Sequence, residues 1–499
     1  MPKIRRVEQI LIRKGSKYKD LYKFFDRICF LSKNLYNSIT YNMRQDLIAN
    51  NFKFDKIPSY FDKSAEYCAL PDGSKIFGQQ TAEQIVKITM ESWTSFKKIS
   101  LEFEKDPEKF CLKRGWSTEK LGELRKDGTP ICQPRMPKYL DKEKGRYVVS
   151  FRGNRGFKRV ENKYICSMST INNIFKEVTG KEKFEFKSYK AEQFGSKAEL
   201  KQVRIVPRTD AYMLELVFEI EVENLYEENK YKKKEEREKE ALEDTVPTRL
   251  VSIKTGFNYF ATVGNNFGEK TLCLMAEPFR PIILEYSKEK ARLQSIAKEL
   301  NGLNTTKRIN RLGNKFTRHT KYLCNCYSKY IVDWCVKNNV DTIILGKSKG
   351  LKQGVTGGNN SINSLLPIAI FEDQLKYKFE SAEIRVIEVS TAYTARTSFL
   401  DLEPITKSES NKHTVKDGKI TSSNGITIDS NVNAVYQLIR KRYNKAFDEN
   451  TIKNVDLDPD YYVLEQSDVV KINKKEITKL KVSQEAIDAN FISEMIKNR

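Results

Sequence analysis

Three short apolar segments, rich in β-branched and aromatic residues, follow one another closely in the second half of the chain. They span residues 250–253, 259–263 and 271–275. A long helical region follows, and after it strand and helical patterns alternate. They are a strand pattern at 342–345, a helical pattern near 368–379, a strand pattern at 384–389 and a final helical pattern at 432–441. Consecutive strands followed by alternating helices and strands predict one mixed sheet with helices on its faces.

The first half of the chain is organised differently. A short strand-like stretch at 7–12 precedes two long segments, near 18–48 and 82–103, in which apolar residues recur at helical spacing. The polar segments 53–79 and 106–133 contain Pro and Gly, and this composition predicts loops. Strand patterns return at 147–151 and at 214–220, and they indicate a β-rich region before the middle of the chain.

A run of charged residues separates the two halves. Residues 227–244 carry eight acidic and six basic side chains and almost nothing apolar. Such a run is typical of a solvated helix or linker, so it predicts a domain boundary. The length of 499 residues agrees with roughly three domains.

The charge balance points to a polyanionic partner. The chain has 89 Lys and Arg against 66 Asp and Glu, which gives a net charge of +23. This excess is large for an enzyme of small metabolites and ordinary for a protein that covers many phosphates. We expect no membrane partner, because no apolar run approaches the roughly 18 residues of a membrane span. The start of the sequence has no signal-peptide pattern, so we expect a cytoplasmic protein.

Cysteine and histidine usage argues against a zinc site. The nine cysteines are scattered without a C-x-x-C pair, and the only histidines are His319 and His413. A tetrahedral zinc site needs four nitrogen or sulfur ligands at suitable spacing, so we expect no zinc and reduced thiols.

Four segments of the second half carry a family resemblance. Residues 251–262 read VSIKTGFNYFAT, residues 341–348 read DTIILGKS, residues 388–401 read EVSTAYTARTSFLD, and residues 428–434 read IDSNVNA. In this order and at this spacing they resemble the first, second, Tyr-Thr-Ser and third motifs of the nuclease domain of TnpB proteins and of the miniature type V CRISPR effectors. The resemblance is clear over residues 248–441.

The resemblance implies an α+β multidomain, bilobed architecture. The domains it implies are a β-rich wedge domain at 1–20 and 131–225, an inserted helical recognition domain at 21–130, a charged linker at 226–247, a degenerate RNase H-like (RuvC-like) α/β domain at 248–444, and a C-terminal tail at 445–499. Within the RuvC-like domain, residues 397–428 would be the remnant of a nuclease-lobe insertion that has lost its zinc cysteines.

The positions that matter for catalysis depart from the family pattern. In the family, carboxylates from the first, second and third motifs bind Mg²⁺ for phosphodiester cleavage. This chain has Lys254, Gly346 and Asn431 at those three positions. We therefore expect no nuclease activity and no catalytic metal. The alternative is an active RNA-guided, metal-dependent DNA endonuclease with relocated acids, and the available substitutes are Asp429, Asp341, Glu388 and Asp401.

One stretch without acidic residues is a candidate nucleic-acid surface. Between 304 and 321 the basic residues are Lys307, Arg308, Arg311, Lys315, Arg318 and Lys321. Four of them follow i, i+3, i+7, i+10 spacing, so they would share one face of a helix and contact phosphates. The alternative is an ordinary solvated helix surface. Further candidates are Lys3, Arg5 and Arg6 at the start of the chain and Lys347 and Lys349 beside the second motif, where residues 350–360 form a glycine-rich loop.

The resemblance implies a nuclease-inactive, RNA-guided DNA-binding protein of the bacterial cytoplasm, associated with the nucleoid. Its partners would be a guide RNA and double-stranded target DNA, opened as an R-loop beside a short flanking motif. Transcription would be controlled by occlusion, or by recruitment of a sigma factor or RNA polymerase. A DNA-binding repressor that uses no RNA is a further alternative. Residues from Ser483 predict an amphipathic helix that packs on its own domain, or docks a transcription partner or a second copy in a homodimer.

Overall fold

The computed structural model describes residues 3–15, 18–114, 118–123, 133–191, 198–221, 246–347, 363–406, 413–452, 455, 457–473 and 475–476. The chain divides into two compact units, one of Lys3–Glu221 and one of Val222–Arg499 with Met1–Pro2. Helices and strands occur in both units, so the predicted α+β multidomain class is confirmed.

In the N-terminal unit, helices lie between β-strands in chain order, and the larger of its sheets is antiparallel. Its elements are β1 (Lys3–Arg13), α1 (Lys19–Ala49), α2 (Tyr60–Cys68), α3 (Ser74–Phe77), α4 (Gln79–Lys105), α5 (Pro107–Lys113), β2 (Val149–Arg152), α6 (Gly153–Gly156), β3 (Phe157–Val160), β4 (Lys163–Cys166), α7 (Ser169–Thr179), β5 (Glu185–Lys187), β6 (Glu199–Pro207) and β7 (Ala211–Glu221). The larger sheet has the order β1-β7-β6-β2, and β3, β4 and β5 form a second sheet.

The helices and the strands of this unit share one hydrophobic core. Phe24 of α1, Trp93 of α4, Phe151 of β2 and Phe184 are all fully buried in the same cluster. The apolar spacing that predicted α1 and α4 therefore reflects burial of one face of each helix against the sheet. The helical segment and the β-rich segment pack here as one body around one core.

Two segments that composition predicts as loops contain helices. Helix α2 begins after Ser59, whose backbone N–H donates to Asp62 Oδ2 at 2.7 Å in a capping box. Helix α5 begins at Pro107 after Asp106, whose side chain accepts from the Lys109 backbone N–H at 3.0 Å. The loop prediction was wrong because these polar residues and this proline are helix-start signals.

The C-terminal unit contains the remaining elements. They are β8 (Leu250–Thr255), β9 (Tyr259–Asn265), β10 (Leu272–Met275), α8 (Arg280–Asn301), α9 (Lys307–Lys337), β11 (Thr342–Lys347), α10 (Ile368–Ser381), β12 (Arg385–Ser390), β13 (Thr414–Lys416), β14 (Lys419–Thr421), β15 (Thr427–Asp429), α11 (Ser430–Arg442), α12 (Glu449–Ile452), β16 (Asp460–Glu465) and β17 (Asp468–Ile472).

One seven-stranded mixed sheet organises this unit. Its order is β12-β11-β8-β9-β10-β16-β17. Strands β8, β11 and β12 are parallel, whereas β9 runs antiparallel to β8 and to β10. Helix α11 covers one face through Val435 and Ile439, and helices α9 and α10 cover the other through Tyr327 and Phe371. The predicted mixed sheet with flanking helices is confirmed.

The sheet continues beyond the domain end expected at residue 444. Strand β16 pairs in parallel with β10, and β17 pairs with β16 at the edge of the sheet. Val463 and Leu464 are buried, so this part of the expected tail is built into the domain. Three segments singled out from the sequence lie outside the described residues. They are the amphipathic helix expected from Ser483, the charged run 227–244 and the glycine-rich loop 350–360.

Within the described ranges, no helix combines the length and the apolar character that crossing a bilayer requires.

Candidate functional site

The three motif positions at which this chain lacks the family's carboxylates lie together in the C-terminal unit. Ile253 of β8 pairs with Leu345 of β11, so the next residues along the two strands, Lys254 and Gly346, are neighbours near the carboxyl ends of these strands. Asn431 lies in the first turn of α11, which packs on the same face of the sheet. Three segments that are far apart in sequence therefore meet at one edge of the sheet, as the motif resemblance implies.

Lys254 and Asn431 form a direct contact. The Lys254 ammonium donates to Asn431 Oδ1 at 2.8 Å, and Asn431 Nδ2 donates to Asp429 Oδ1 at 3.2 Å. Burial is the main influence on Lys254 and lowers the pKa of its amine, while the nearby Asp429 carboxylate acts in the opposite direction. The site thus contains a partly buried amine held by an amide and facing one carboxylate.

Asp429 is the N-cap of α11. Its Oδ1 accepts from the backbone N–H of Asn431 at 2.7 Å and of Val432 at 3.4 Å, and its Oδ2 accepts from the Tyr259 hydroxyl at 3.4 Å. Burial raises the pKa of the Tyr259 hydroxyl far above its usual value, so this hydroxyl stays protonated and donates the hydrogen bond to Asp429. The Asp429 carboxylate therefore caps the N-terminus of α11.

Gly346 lies where a side chain has little room. A Cβ at this position would come within 2.8 Å of Leu438 Cδ1 and of Thr391 Cγ2, and within 3.2 Å of the Ile253 carbonyl oxygen. Distances below 3.0 Å require a neighbour to move, and Leu438 belongs to the packed face of α11. A side chain at position 346 would therefore have to displace the methyl groups of Leu438 and Thr391.

These residues do not fit a divalent cation. Lys254 already occupies the Asn431 amide oxygen, and Gly346 offers no ligand. An ammonium about 4 Å from Mg²⁺ would repel it by roughly 8 kcal/mol at an effective dielectric constant of 20. In the described part of the chain, no group of three or more His, Cys, Asp or Glu side chains is arranged to hold a metal ion.

The other acids considered as substitutes have different partners. Asp341 precedes β11, at the end of the strand opposite Gly346, and accepts from the Arg249 backbone N–H at 3.1 Å. Glu388 forms ion pairs with Lys347, at 3.0 Å, and with Lys376. The remaining substitute, Asp401, accepts from the Ser423 hydroxyl at 2.6 Å and from its backbone N–H at 3.0 Å. None of these contacts turns a carboxylate toward Lys254.

A fifth carboxylate near the site has no motif to reveal it. Glu372 of α10 accepts from the Thr255 hydroxyl at 3.1 Å, at the end of β8. Burial raises the pKa of the Glu372 carboxyl, and the Thr255 hydrogen bond, Lys347 and Lys376 partly counter this effect. Nothing in the periodicity of α10 distinguishes Glu372 from a solvent-facing acid, so only the packing of the helix on β8 identifies it.

The segment after β12 is fixed to α11 by two buried amides. Asn433 donates to the carbonyl oxygens of Thr394 and Thr397 at 3.0 and 2.9 Å, and it accepts from the Phe399 backbone N–H at 2.8 Å. Gln437, one turn later, donates to Thr397 O at 3.1 Å. Both amides are fully buried. These hydrogen bonds attach the Tyr-Thr-Ser segment to α11.

The insertion without zinc cysteines contains a small sheet of β13, β14 and β15. The His413 side chain is fully buried, and its Nδ1 lies 2.9 Å from Glu403 Oε1 and 2.8 Å from Oε2. Glu403 Oε2 also accepts from the Ser398 backbone N–H at 2.8 Å. An internal hydrogen-bonded pair thus connects this small sheet to the Tyr-Thr-Ser segment.

The basic stretch after residue 304 forms the first half of α9. All six of its cations are exposed: Lys307, Arg308, Arg311, Lys315, Arg318 and Lys321. The opposite face of the helix carries Ile309, Leu323 and Tyr327, which are buried. Arg308 lies 3.7 Å from Glu289 of α8. We call these six residues the basic face of α9.

The other expected contact residues are more constrained. Lys3 of β1 lies 3.5 Å from Glu219 and 3.5 Å from Glu221 of the neighbouring strand, so its charge is balanced. Arg5 is exposed and Arg6 half-buried on the same strand. Lys347 is paired with Glu388, and Lys349 lies outside the described residues.

Comparison with known proteins agrees with the motifs. The sequence profile of the OrfB_IS605 family, described as a probable transposase, matches residues 220–352, which include the first and second motifs. No curated protein sequence matches the chain significantly.

Two solved structures are similar over most of the chain. One is a Cas12f1-sgRNA-target DNA complex, with 10% identity, 85% of this chain and 83% of that chain covered, and a TM-score of 0.47. The other is a CRISPR-Cas12f ternary complex, with 11% identity, 85% of this chain and 81% of that chain covered, and a TM-score of 0.30. The resemblance of this chain to the TnpB family is confirmed through the OrfB_IS605 signature that residues 220–352 carry.

Proposed function

We propose that this protein is a nuclease-inactive, RNA-guided DNA-binding protein that controls transcription. The observation that carries the proposal is the hydrogen bond from Lys254 to Asn431, because it joins two positions at which the family uses metal-binding carboxylates. A cationic side chain in this place opposes the charge that phosphodiester cleavage by bound Mg²⁺ requires. The sheet and its helices would then be retained as a scaffold for binding.

The charge of the protein supports a nucleic-acid partner. A net charge of +23 suits a chain that contacts both a guide RNA and a heteroduplex. The basic face of α9 presents six exposed cations on the side of the helix that is not packed against the sheet. We propose that these side chains contact phosphates, with Arg5 and Arg6 of the N-terminal unit and Lys349 as further contacts.

Binding without cleavage leads to a function in transcription. An R-loop that forms by pairing of guide and target, and that is not cut, remains on the DNA as an obstacle to RNA polymerase. The proposed outcome is repression by occlusion of a promoter, or activation where the bound protein recruits a sigma factor or RNA polymerase. The alternative is an active RNA-guided endonuclease whose acids have moved to other positions.

The test is to sequence the RNA that copurifies with the full chain and to add target DNA. We expect a discrete RNA with a constant scaffold and a variable end of roughly 10–20 nucleotides. We also expect DNA matching that end to be bound and to stay intact with Mg²⁺ present. Cleavage of the matched DNA would establish the alternative, and tight operator binding after complete RNase treatment would indicate a repressor that uses no RNA.

A further inference from the structure

The amine of Lys254 has a neutral hydrogen-bond partner. Its Nζ donates to Asn431 Oδ1 at 2.8 Å, and among the described residues no carboxylate oxygen lies within ion-pair distance of it. An amide oxygen accepts a hydrogen bond from an ammonium and from an uncharged amine alike, whereas a carboxylate would favour the ammonium. The contact therefore fixes the position of the amine without requiring its charge.

The surroundings of this amine favour its uncharged form. Burial lowers the pKa of the Lys254 amine, and the Asp429 carboxylate only partly counters this effect. The Cys273 thiol lies nearby, and burial raises its pKa well above the usual value, so it carries no negative charge that would stabilise an ammonium. A larger share of this amine is therefore uncharged at neutral pH than of an exposed lysine, and the uncharged form is the nucleophile.

Two glycines keep the approach to the amine open. Lys254 is half-buried and precedes the last residue of β8. Its neighbour on β11, Gly346, contributes no side chain at this end of the strand pair. A Cβ on Gly256 would lie 3.9 Å from Asn431 Oδ1, so a side chain there would lie against the oxygen that holds the amine. A small reactive group can therefore reach Nζ from the end of the sheet.

One amide holds this amine and a carboxylate at its two ends. Asn431 accepts from Lys254 through Oδ1, and its Nδ2 donates to Asp429 Oδ1 at 3.2 Å. Asp429 Oδ2 accepts only a long hydrogen bond of 3.4 Å, from Tyr259, so it retains capacity to accept a proton. A positioned amine beside a positioned carboxylate is the pair of groups that imine chemistry uses.

We propose that Lys254 is the nucleophile of an imine-forming activity toward aldehydes, with Asp429 as the proton acceptor. The substrate class is the ring-opened deoxyribose of an abasic site in DNA, because a net charge of +23 favours an aldehyde carried on a polyanion. This activity goes beyond the proposed function and rests on it only for how DNA reaches the site.

The atoms of the reaction balance as follows. The uncharged Nζ attacks C1′ of the aldehyde, and the carbonyl oxygen leaves as water with one amine hydrogen and one proton from solvent, so an iminium joins protein and DNA. Asp429 then removes a proton from C2′, and the released electron pair expels the 3′ phosphate as the C3′–O bond breaks. Water hydrolyses the iminium, which frees Lys254 and leaves a strand broken at the abasic site.

The experiment traps the iminium on the full chain. The protein is mixed with a labelled oligonucleotide that carries one abasic site, and sodium borohydride reduces the iminium to a stable amine. We expect one main covalent adduct, which peptide mapping by mass spectrometry locates at Lys254. Adducts spread over the exposed lysines, with none at Lys254, would overturn the proposal even if every variant failed to fold.

Three variants separate the steps. Lys254→Arg keeps a positive donor beside Asn431 but has no amine that forms an imine, so it should lower the rate of adduct formation by about 10-fold or more. Lys416→Arg, at an exposed lysine of β13, is the matched control and should leave the rate unchanged. Asp429→Asn keeps a helix cap, so it should still form the adduct but should break the strand about 100-fold more slowly without borohydride.

The contrary results are equally distinct. An unchanged rate of adduct formation in Lys254→Arg would refute the nucleophile, and unchanged strand breakage in Asp429→Asn would refute the proton acceptor. No adduct in a protein that still binds guide-matched DNA without cutting it would reject this activity and leave the proposed function standing. An adduct at Lys254 in a protein that carries no guide RNA would refute the proposed function and leave the activity standing.

Discussion

The Lys254 ammonium lies 2.8 Å from Asn431 Oδ1 and so connects strand β8 to the first turn of helix α11. A metal ion at this position would hold the same two elements by attracting negative oxygens to one cation. Here the cation is part of the chain, and its partner is a neutral amide. The strand and the helix are still connected, but the cation now belongs to the protein and no negatively charged oxygens are needed.

Restoring one carboxylate should not restore cleavage. We expect Lys254→Asp to leave Mg²⁺-dependent DNA cleavage undetectable, because Gly346 provides no ligand and Asn431 only an amide oxygen. The measurement is cleavage of guide-matched DNA by the purified complex. Robust cleavage by this single variant would show that other acids serve the reaction.

Restoring all three carboxylates should cost stability. In a variant with Lys254→Asp, Gly346→Glu and Asn431→Asp, the new side chain at 346 meets Leu438 and Thr391 at distances below 3.0 Å. Overpacking of this kind costs about 1–3 kcal/mol. We expect a lower urea midpoint than for the variant that carries only the other two changes. An unchanged midpoint would show that α11 moves freely away from β11.

Charge reversal on the basic face of α9 should weaken nucleic-acid binding in a salt-dependent way. For the triple variant Arg311→Glu, Lys315→Glu, Arg318→Glu we expect the slope of log affinity against log salt to become shallower by about 2–3 units. The matched control reverses Lys329, Lys337 and Lys416, which are also exposed in this unit. Equal slopes for both triple variants would indicate that the basic face of α9 is an ordinary solvated surface.

Glu372 should make stability depend on pH. Burial raises the pKa of its carboxyl above the ordinary value of 4.5, so the folded protein holds this proton more tightly than the unfolded chain does. Its contribution to stability is therefore lost as pH rises through the raised pKa. Glu372→Gln keeps an acceptor for Thr255 and carries no charge. We expect the variant's urea midpoint, relative to wild type, to be higher at pH 8 than at pH 5, whereas a pH-independent difference would contradict the assignment.

Asn433 should be worth far more than an exposed amide. We expect Asn433→Ala to lower the free energy of unfolding by about 2–4 kcal/mol, because two carbonyl groups and the Phe399 N–H would lose their partner inside the protein. Asn310→Ala, at an exposed position of α9, is the control and should change stability by less than about 0.5 kcal/mol. Similar losses for the two variants would mean that the Tyr-Thr-Ser segment does not depend on α11.

Periodicity predicted the elements that bury a complete face. Strands β8 to β12 and helices α1, α4 and α11 were all expected from apolar spacing, since burial against one neighbouring layer leaves a repeating pattern in the sequence. Helices α2 and α5 were missed, because a short helix with a polar start shows few repeats and its cap residues resemble those of a loop. Strands β16 and β17 lie beyond the expected domain end, because the partner that makes an edge strand part of a sheet is remote in the chain.

The sequence by itself determined which residue types stand at the motif positions, since Lys254, Gly346 and Asn431 are legible in order along the chain. Only the tertiary structure decided which contacts such residues make: that the amine bonds the amide, that the side chains of Leu438 and Thr391 crowd Gly346, and that Asn433 bonds the carbonyl oxygens of Thr394 and Thr397. The physical reason is that these effects are distances between segments separated by tens to hundreds of residues. Such distances are set by the packing of a helix on a sheet, and no local pattern records them.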